Sequence, residues 1–371
     1  MIKSNKLIKT LKDSGINFFT GVPDSLFSEL CISLEKQKNH ISSTNEGSAV
    51  GAAIGYYLAR KKLPLVYLQN SGLGNIINPL LSLAHKKIYN IPIFFIIGWR
   101  GEVLRNKQIK DEPQHKYQGL VTEKILKILQ IKYVILNGKS NYEKVIKELT
   151  NHAIRSLQPV ALLIRKNTFE KKKNIYNLSK KISRENALKI IINKTKKNSL
   201  FVSTTGVLSR ELMEIKNQKG LKRNNMFYCV GGMGHAISVA NGIAFANKNK
   251  KIICLDGDGA ALMHLGAQVN SAKQKNLVHI LINNNAHDSV GAQKTASHKI
   301  FFCEIAEKLK YNKIFLCNNE AEIENAVKYL NKSKKSVFIE IICKTGFNKD
   351  LARPNKPMEQ YKKQFMKFLK V

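Results

Sequence analysis

The sequence predicts an α/β protein with two domains, each a doubly wound, mostly parallel sheet flanked by helices. Short apolar runs recur along the 371-residue chain, helical stretches separate them, and a polar, lysine-rich stretch interrupts this alternation near the middle. Strands of a parallel sheet are buried on both faces, so they read as continuous apolar runs. With 43% hydrophobic residues, the chain is long enough to bury two separate cores.

The first predicted domain covers residues 1–166 and begins with an amphipathic helix that Gly15 ends. Its predicted strands are the runs INFFTGV, PLVYLQNSG, IPIFFIIGW, KYVILN and PVALLIRK. Helical stretches such as NYEKVIKELTNHAIRSL lie between them. Residues 167–182 lack apolar periodicity, and we predict that they form the linker.

The second predicted domain covers residues 183–371 and begins with a helix. Ser183 is its predicted N-cap, with Asn186 at the third helical position. The strands predicted here are LFVSTTG, MFYCVGG, KIICLDGDG, LVHILINN and KSVFIEIIC. Because strands and helices alternate as in the first half, we expect both domains to share one architecture.

The formal net charge is +36, which raises the alternative of a nucleic-acid-binding α/β protein. The lysines are spread along the whole chain, however, and the sequence has no zinc finger or basic motif interleaved with aromatic residues. We expect no nucleic-acid partner, and no membrane partner, because no apolar run approaches the ~20 residues that a bilayer requires. A diffuse positive field would still attract a small polyanionic substrate.

The six cysteines include no Cys-x-x-Cys pair, and most lie in apolar runs. We predict free thiols in a cytoplasmic protein, in preference to disulfides or zinc ligands. The N-terminal segment carries lysines without a continuous apolar stretch, so no secretory signal is predicted.

Polar residues follow two of the predicted strands in the second domain. Asp258 lies between Gly257 and Gly259 after one strand, and Asn283, Asn284 and Asn285 follow the next. The glycines permit close approach of a phosphate, and a helix from about Ala260 would offer free N–H groups to an anion. Carboxylate and amide oxygens suit Mg²⁺. The sequence thus predicts a magnesium diphosphate site, against the alternative of two polar turns that bind nothing.

This pattern resembles the signature of enzymes that depend on thiamine diphosphate (ThDP), in which Asn284 follows Asp258 by 26 positions. The resemblance implies that Asp258, Asn284 and the carbonyl of Ala286 hold the metal. Because three asparagines occur in a row, Asn285 with the carbonyl of His287 is the alternative set. The resemblance also assigns Gly257, Gly259 and Ala260 to cofactor binding.

Two further stretches support the resemblance. In STNEGSAVGAAIGYYLAR, Glu46 precedes a helix of small residues and matches the carboxylate that hydrogen-bonds the cofactor's aminopyrimidine. The alternative is an ordinary first-turn glutamate favoured by the helix dipole. In VGGMGHA, the resemblance assigns Gly231 and Gly232 to the cofactor and makes Met233 the apolar wedge beneath it, although a methionine there could also fill a core.

The two-domain layout, with no middle domain, resembles the families of phosphonopyruvate and sulfopyruvate decarboxylases. TGVPDSLFSEL, DEPQHKYQG and NNNAHDSVGAQKT favour the former, although Asn285 stands where glycine is expected. The implied reaction is decarboxylation of 3-phosphonopyruvate to phosphonoacetaldehyde and CO₂ in phosphonate biosynthesis. Sulfopyruvate decarboxylase, a carboligase using the same cofactor and a catalytically silent protein of this fold remain alternatives.

The resemblance also yields candidates around the substrate. The candidates for substrate contact are Asp24, Ser25, Asn70, Ser71, Arg100, Gln114 and His115. For each of them, a purely structural role is an equally good alternative. The catalytic candidates besides Glu46 are His115, His287 and Asp288, the last as a proton donor or as a partner of His287. The resemblance further implies a homo-oligomer, in which the first domain of one subunit faces the second domain of another.

Overall fold

The computed structural model describes residues 1–104, 107–170, 181–218, 224–348, 350–352 and 356–369. The chain divides into two compact units, Met1–Asn174 and Ile175–Val371. Of the predicted linker, residues 167–182, positions 171–180 lie outside the described residues. Within the described ranges, no helix has the length and apolar character that crossing a bilayer would require.

The first unit contains a parallel sheet of six strands in the order β2-β1-β3-β4-β8-β7. The strands of this unit, with the small antiparallel pair β5 and β6, are β1 (Phe19–Gly21), β2 (His40–Ser42), β3 (Leu65–Gln69), β4 (Phe94–Gly98), β5 (Val103–Leu104), β6 (Lys107–Gln108), β7 (Lys132–Leu136) and β8 (Val160–Ile164). Its helices are α1 (Ser4–Asp13), α2 (Ser28–Glu35), α3 (Glu46–Arg60), α4 (Leu73–Pro79), α5 (Pro113–Ile128) and α6 (Tyr142–Ser156).

Helices cover both faces of this sheet because its strands are apolar on both faces. Leu65 packs in one core with residues of α1, α2 and α6. Val66, the next residue of β3, packs in a second core with residues of α3, α4 and α5. Successive side chains of a strand point to opposite faces, so each continuous apolar run contributes residues to both hydrophobic cores.

His40 on the edge strand β2 offers a pH-dependent test of this packing. Its Nε2 lies 2.7 Å from the hydroxyl oxygen of Tyr67, and burial lowers the pKa of His40 to about 4. The unfolded chain binds the proton near pH 6.5, so His40 favours folding above that pH and its contribution is lost as the pH falls towards 4. We expect acidification from pH 7.5 to 5 to remove about 1 kcal/mol through His40, allowing for its partial exposure. In urea titrations, His40→Gln should show a correspondingly weaker pH dependence, and an unchanged slope would contradict the assignment.

The second unit repeats this design with the strand order β10-β9-β11-β12-β16-β15. Its strands, with the small antiparallel pair β13 and β14, are β9 (Leu200–Ser203), β10 (Met226–Tyr228), β11 (Ile252–Gly257), β12 (Leu277–Asn283), β13 (Ala286–His287), β14 (Gln293–Lys294), β15 (Lys313–Cys317) and β16 (Val337–Ile342). Its helices are α7 (Arg184–Lys194), α8 (Val207–Gln218), α9 (Ala236–Ala246), α10 (Asp258–Met263), α11 (Gln268–Ala272), α12 (Phe302–Lys308), α13 (Glu320–Lys332) and α14 (Met358–Leu369).

Both sheets confirm the predicted fold class. In each, the second strand in the chain lies on one side of the first, and the third lies on the other side. Doubly wound sheets bind ligands in the crevice outside the carboxyl ends of the strands at such a reversal, which are β1 and β3 in the first unit and β9 and β11 in the second. The predicted cap of α7 is also present, since Ser183 Oγ accepts a hydrogen bond of 3.1 Å from the N–H of Asn186.

The cysteines are free thiols, as predicted, and four of them are fully buried. One of the four, Cys254, shares a buried face of β11 and β12 with Asp256 and His279, and their potential ligand atoms lie within 4.8 Å of one another. Asp256 Oδ1 accepts the N–H of Gly257 at 3.0 Å, so this carboxylate supports the start of the following turn.

Candidate active site

The Gly-Asp-Gly turn begins where β11 ends, at the edge of the crevice. Asp258 is 2% exposed, and its Oδ2 accepts hydrogen bonds from the hydroxyls of Thr295 and Ser297, the latter at 2.7 Å. Burial raises the pKa of Asp258, while these two hydroxyls and the backbone N–H of Asn284 act to lower it. The structure thus brings Asp258 and Asn284 together at neighbouring strand ends.

The three asparagines after β12 have different surroundings. The side-chain amide of Asn283 donates to Glu340 at 2.8 Å, which indicates a structural role for Asn283. Asn284 Oδ1 accepts the N–H of Ala286 at 3.1 Å. Asn285 has φ 55°, a left-handed conformation that glycine adopts freely and asparagine tolerates, which explains how asparagine replaces the expected glycine. Its Oδ1 lies 2.8 Å from Ser297 Oγ, and the same hydroxyl contacts Asp258, so the Asn285 amide oxygen is one side chain away from that carboxylate.

The glycines of this region keep its backbone accessible. A Cβ added at Gly257 would meet nothing within 4 Å, whereas one at Gly259 would lie 2.7 Å from Cε1 of His287. Burial lowers the pKa of His287 to about 4, so the imidazole is neutral at physiological pH. A glycine turn without side chains, next to carboxylate and amide oxygens, fits a hard cation that is coordinated by a diphosphate.

The segment between β10 and α9 also turns on glycines. Gly232 has φ 61° and Gly234 has φ 87°, conformations that other residues rarely adopt. A Cβ on Gly234 would lie 3.1 Å from the carbonyl oxygen of Ala260, so this segment approaches the Gly-Asp-Gly turn closely. Gly231 and Met233 are half-buried here, and the cofactor-wedge role of Met233 stays a prediction.

Asp288 is held differently from the expectation of a pair with His287. Its Oδ2 accepts from Arg184 Nη1 at 3.0 Å and from Asn284 Nδ2 at 2.7 Å, and the N–H of Gly346 donates to it at 3.1 Å. The structure therefore pairs this carboxylate with a buried arginine, and its role as a proton donor or as a partner of His287 stays a prediction. Arg184 gave no signal in the sequence, because its partner lies 104 positions away.

Glu46 begins α3 and is 4% exposed. The N-cap Asn45 accepts the N–H of Ser48 at 2.8 Å, which fixes the start of this helix. Glu46 Oε2 accepts from Asn75 Nδ2 at 2.7 Å, a partner that the sequence analysis missed. A Cβ on Gly72 would lie 2.4 Å from Glu46 Oε1, so the carboxylate occupies space that only glycine leaves open.

Four substrate candidates of the first unit, Asp24, Ser25, Arg100 and His115, belong to one hydrogen-bonded network. Its centre is Asp111, which the sequence analysis did not single out. Arg100 Nε and Nη2 donate to both oxygens of Asp111 at 2.9 and 2.6 Å, and Arg100 Nη1 donates to Ser25 Oγ at 3.2 Å. His115 Nδ1 lies 3.1 Å from Asp111 Oδ1, and Ser25 Oγ donates to Asp24 Oδ1 at 3.3 Å. Although burial alone would raise it, His115 and Arg100 hold the pKa of Asp111 well below its usual range.

Asp24 is fully buried at the end of β1. Its Oδ1 accepts from Gln69 at 2.8 Å, whereas its Oδ2 has no hydrogen-bond partner among the residues that the structure describes. Burial raises the pKa of this carboxyl group. A Cβ on Gly98, at the end of β4, would lie 1.6 Å from Oδ2, so this glycine is required for the carboxyl group to fit.

Three other candidates of this unit have protein partners. Asn70 Nδ2 donates to the carbonyl of Arg100 and to Thr122 of α5, both at 2.9 Å, and its role in substrate contact stays a prediction. Ser71 donates to Gln69 at 2.8 Å and is exposed. Gln114 donates to Glu112 at 2.8 Å. Ser71 and Gln114 remain candidates for substrate contact.

Comparisons with known proteins agree with this geometry. The model of the N-terminal TPP binding domain of thiamine pyrophosphate enzymes, where TPP is another name for ThDP, matches residues 3–125, and that of the C-terminal TPP binding domain matches residues 205–341. The chain is 28% identical over 390 residues to a phosphonopyruvate decarboxylase of Streptomyces hygroscopicus, with 99% of this chain and 94% of the relative covered.

Sulfopyruvate decarboxylases are also similar. The chain is 26% identical over 395 residues to that of Methanosarcina acetivorans, with 99% of this chain and 97% of the relative covered. It is 36% identical over 166 residues to sulfopyruvate decarboxylase subunit alpha of Methanococcus maripaludis, with 44% of this chain and 95% of that subunit covered.

Proposed function

The chain belongs to the thiamine pyrophosphate enzyme family, and we propose that it decarboxylates 3-phosphonopyruvate to phosphonoacetaldehyde and CO₂, with ThDP and Mg²⁺. The observation that carries the cofactor assignment is the meeting of Asp258 and the Asn284 segment at neighbouring strand ends. The choice of substrate rests on the similarity to phosphonopyruvate decarboxylase along the whole chain. The product would serve phosphonate biosynthesis.

The residues of the second unit would hold the cofactor through its metal and diphosphate. We assign Asp258, Asn284 and the carbonyl of Ala286 to the metal, with Asn285 as the alternative amide. Gly257, Gly259 and Ala260 would face the diphosphate, and Gly231, Gly232 and Met233 the organic part of the cofactor. When bound, ThDP supplies a nucleophilic carbon and an acceptor for the electron pair that departing CO₂ leaves behind.

Glu46 would hold and exchange a proton with the aminopyrimidine. Its buried carboxylate is fixed by Asn75 and Gly72, so it has one orientation for this task.

The remaining polar groups would recognise the substrate and supply protons. Arg100 and His115 donate hydrogen bonds, although Asp111 already takes two of the arginine's nitrogens. Asp24 is linked to Arg100 through Ser25 Oγ, and burial raises the pKa of its carboxyl group. Neutral His287 beside the Gly-Asp-Gly turn could relay a proton. His287 and Asp288 remain the candidates for proton donation to the substrate.

We also propose a homo-oligomer whose active sites lie between subunits. Supporting this, helix α5 exposes Tyr117, Leu120, Val121 and Ile128 at helical spacing, and the outermost two are 74% and 78% exposed. A stripe of large apolar side chains on one helix is typical of a surface that a second chain covers.

A decarboxylation assay on purified protein with Mg²⁺ and ThDP tests the proposal. Phosphonopyruvate and sulfopyruvate are supplied in parallel, and aldehyde release is followed by coupled reduction with NADH. Faster turnover of phosphonopyruvate supports the proposal. Faster turnover of sulfopyruvate would favour the second candidate, which the 26% identity to that enzyme along the whole chain keeps in view. Carboligation in place of aldehyde release would point to the third alternative.

The choice between Asn284 and Asn285 as metal ligand leads to a separate prediction. If Asn284 is the ligand, Asn284→Ala should weaken Mn²⁺ binding by at least about 10², because second-shell changes alone cost 10- to 100-fold. Asn285→Gly should then bind Mn²⁺ nearly as well as the unchanged protein, since glycine suits φ 55°. The electron paramagnetic resonance (EPR) signal of free Mn²⁺ in the presence of ThDP measures both. The reverse pattern would assign the metal to Asn285.

A further inference from the structure

A buried chain of charged groups connects two helices of the second unit to the metal loop. Arg184, the first residue of α7, is 6% exposed, and its Nε and Nη2 donate to Glu211 of α8 at 2.6 and 3.2 Å. Its Nη1 donates to Asp288 at 3.0 Å. Glu211 and Asp288 are 2% and 6% exposed. Removing charges from water is costly even when they are paired, so stability alone is a weak explanation for this arrangement.

The chain ends on the side chain of Asn284. Asp288 Oδ2 accepts from Asn284 Nδ2 at 2.7 Å, and it is the same oxygen that accepts from Arg184. An ionised carboxylate has no hydrogen to donate, so only the NH₂ end of the asparagine amide can face it. The oxygen of that amide must then point the other way, where it accepts the N–H of Ala286.

We propose that Arg184 is a positioning residue for the metal site, acting through Asp288 to fix the orientation of the Asn284 amide. The inference rests on the proposed function, in which Asn284 is a metal ligand. A hard cation binds the oxygen of an amide and is repelled by its NH₂ group. Holding NH₂ against Asp288 leaves the oxygen as the end available to the cation. Glu211 fixes the guanidinium group of Arg184, because it accepts hydrogen bonds from the two nitrogens that do not contact Asp288.

Positioning and simple electrostatics predict opposite results for Arg184. Removing a positive charge near a cation site should strengthen cation binding if charge alone matters. Losing the orientation of Asn284 should weaken it, by about 10- to 100-fold for a residue in the second shell of a metal. The direction of the change therefore separates a positioning role from a field effect. A purely structural role would change the free energy of unfolding and leave the affinity of the folded protein unchanged.

The test measures Mn²⁺ affinity from the EPR signal of free Mn²⁺, on the full chain with saturating ThDP. We expect Arg184→Gln and Asp288→Ala each to weaken Mn²⁺ binding 10- to 100-fold, and the double variant to be little worse than either, because both break one chain. Arg184→Lys keeps a charged donor and should restore part of the affinity. Urea titrations report the stability of each variant separately.

A matched control is Arg165→Gln. Arg165 pairs with Glu102 at 3.2 Å in the first unit, so this change also removes an arginine from an ion pair, and it should leave Mn²⁺ affinity unchanged. If Arg184→Gln fails to fold, Glu211→Gln, which loosens Arg184 without removing it, should weaken Mn²⁺ binding by a smaller factor. Affinity in Arg184→Gln within twofold of the unchanged protein, or tighter, would overturn the inference. Failure of the unchanged protein to bind Mn²⁺ with ThDP would overturn the proposed function itself.

Discussion

Glu46→Gln is expected to lower the rate of decarboxylation by a factor of about 10² to 10⁴ while ThDP remains bound, which is the range for loss of a general acid-base group. Glutamine has the same shape, and its carbonyl can still accept the hydrogen bond from Asn75. What it lacks is the ability to hold and return a proton. Steady-state rates at saturating ThDP, together with ThDP binding by the same variant, measure the two effects separately.

The control for Glu46 is Glu143→Gln, because Glu143 also lies in the first turn of a helix, α6. If Glu46 were only a residue favoured by the helix dipole, both variants would lose a few tenths of a kcal/mol of stability and neither would lose activity. A steric variant tests the same assignment. Gly72→Ala places a Cβ where Glu46 Oε1 lies, so it should also slow the reaction. Full activity in Glu46→Gln would contradict the catalytic assignment.

Asp258→Asn is expected to weaken Mn²⁺ binding by at least about 10², because it removes the only negative charge among the proposed metal ligands. The fold should survive, since asparagine can still accept the hydroxyls of Thr295 and Ser297. Free Mn²⁺ measured by EPR reports the affinity, and ThDP binding should fall in parallel.

Asp256 is the natural control, because it stands two positions earlier in the same Asp-Gly-Asp-Gly stretch. It is fully buried, and its Oδ2 lies 3.6 Å from His279 Nε2, a separation too long for a hydrogen bond. Asp256→Asn should change the free energy of unfolding while Mn²⁺ affinity stays within about threefold, since Asp256 lies below the turn and outside the proposed ligand set. Equal loss of Mn²⁺ binding in both variants would show that the turn as a whole was disturbed, and not a ligand.

The parts of the site that could be predicted from sequence share one physical property. Asp24, Glu46, Asp258 and the asparagines stand at or close after strand ends, and the alternation of apolar runs fixes where strands end. Local hydrogen bonds were also within reach, as at Ser183, where the cap and its partner are three positions apart.

The residues that the sequence analysis missed are those whose hydrogen-bond partners lie in distant segments of the chain. Asn75 meets Glu46 across 29 positions, and Arg184 meets Asp288 across 104, so neither partner could be identified without the fold. The same limit applies to Thr122, which accepts a hydrogen bond from the amide of Asn70 across 52 positions. Asp111 stood within the quoted DEPQHKYQG stretch, but its pairing with Arg100 depends on how the loop after β4 folds back.

The identical strand order of the two sheets bears on how such a chain arose. Duplication of one ancestral segment would leave two sheets in which the reversal of strand order falls at the same place, as it does here. The two crevice edges differ in their polar residues, since one carries Asp24 and Asn70 and the other carries Asp258. An origin by duplication predicts that ancestral reconstruction recovers a single α/β segment before either set of polar groups.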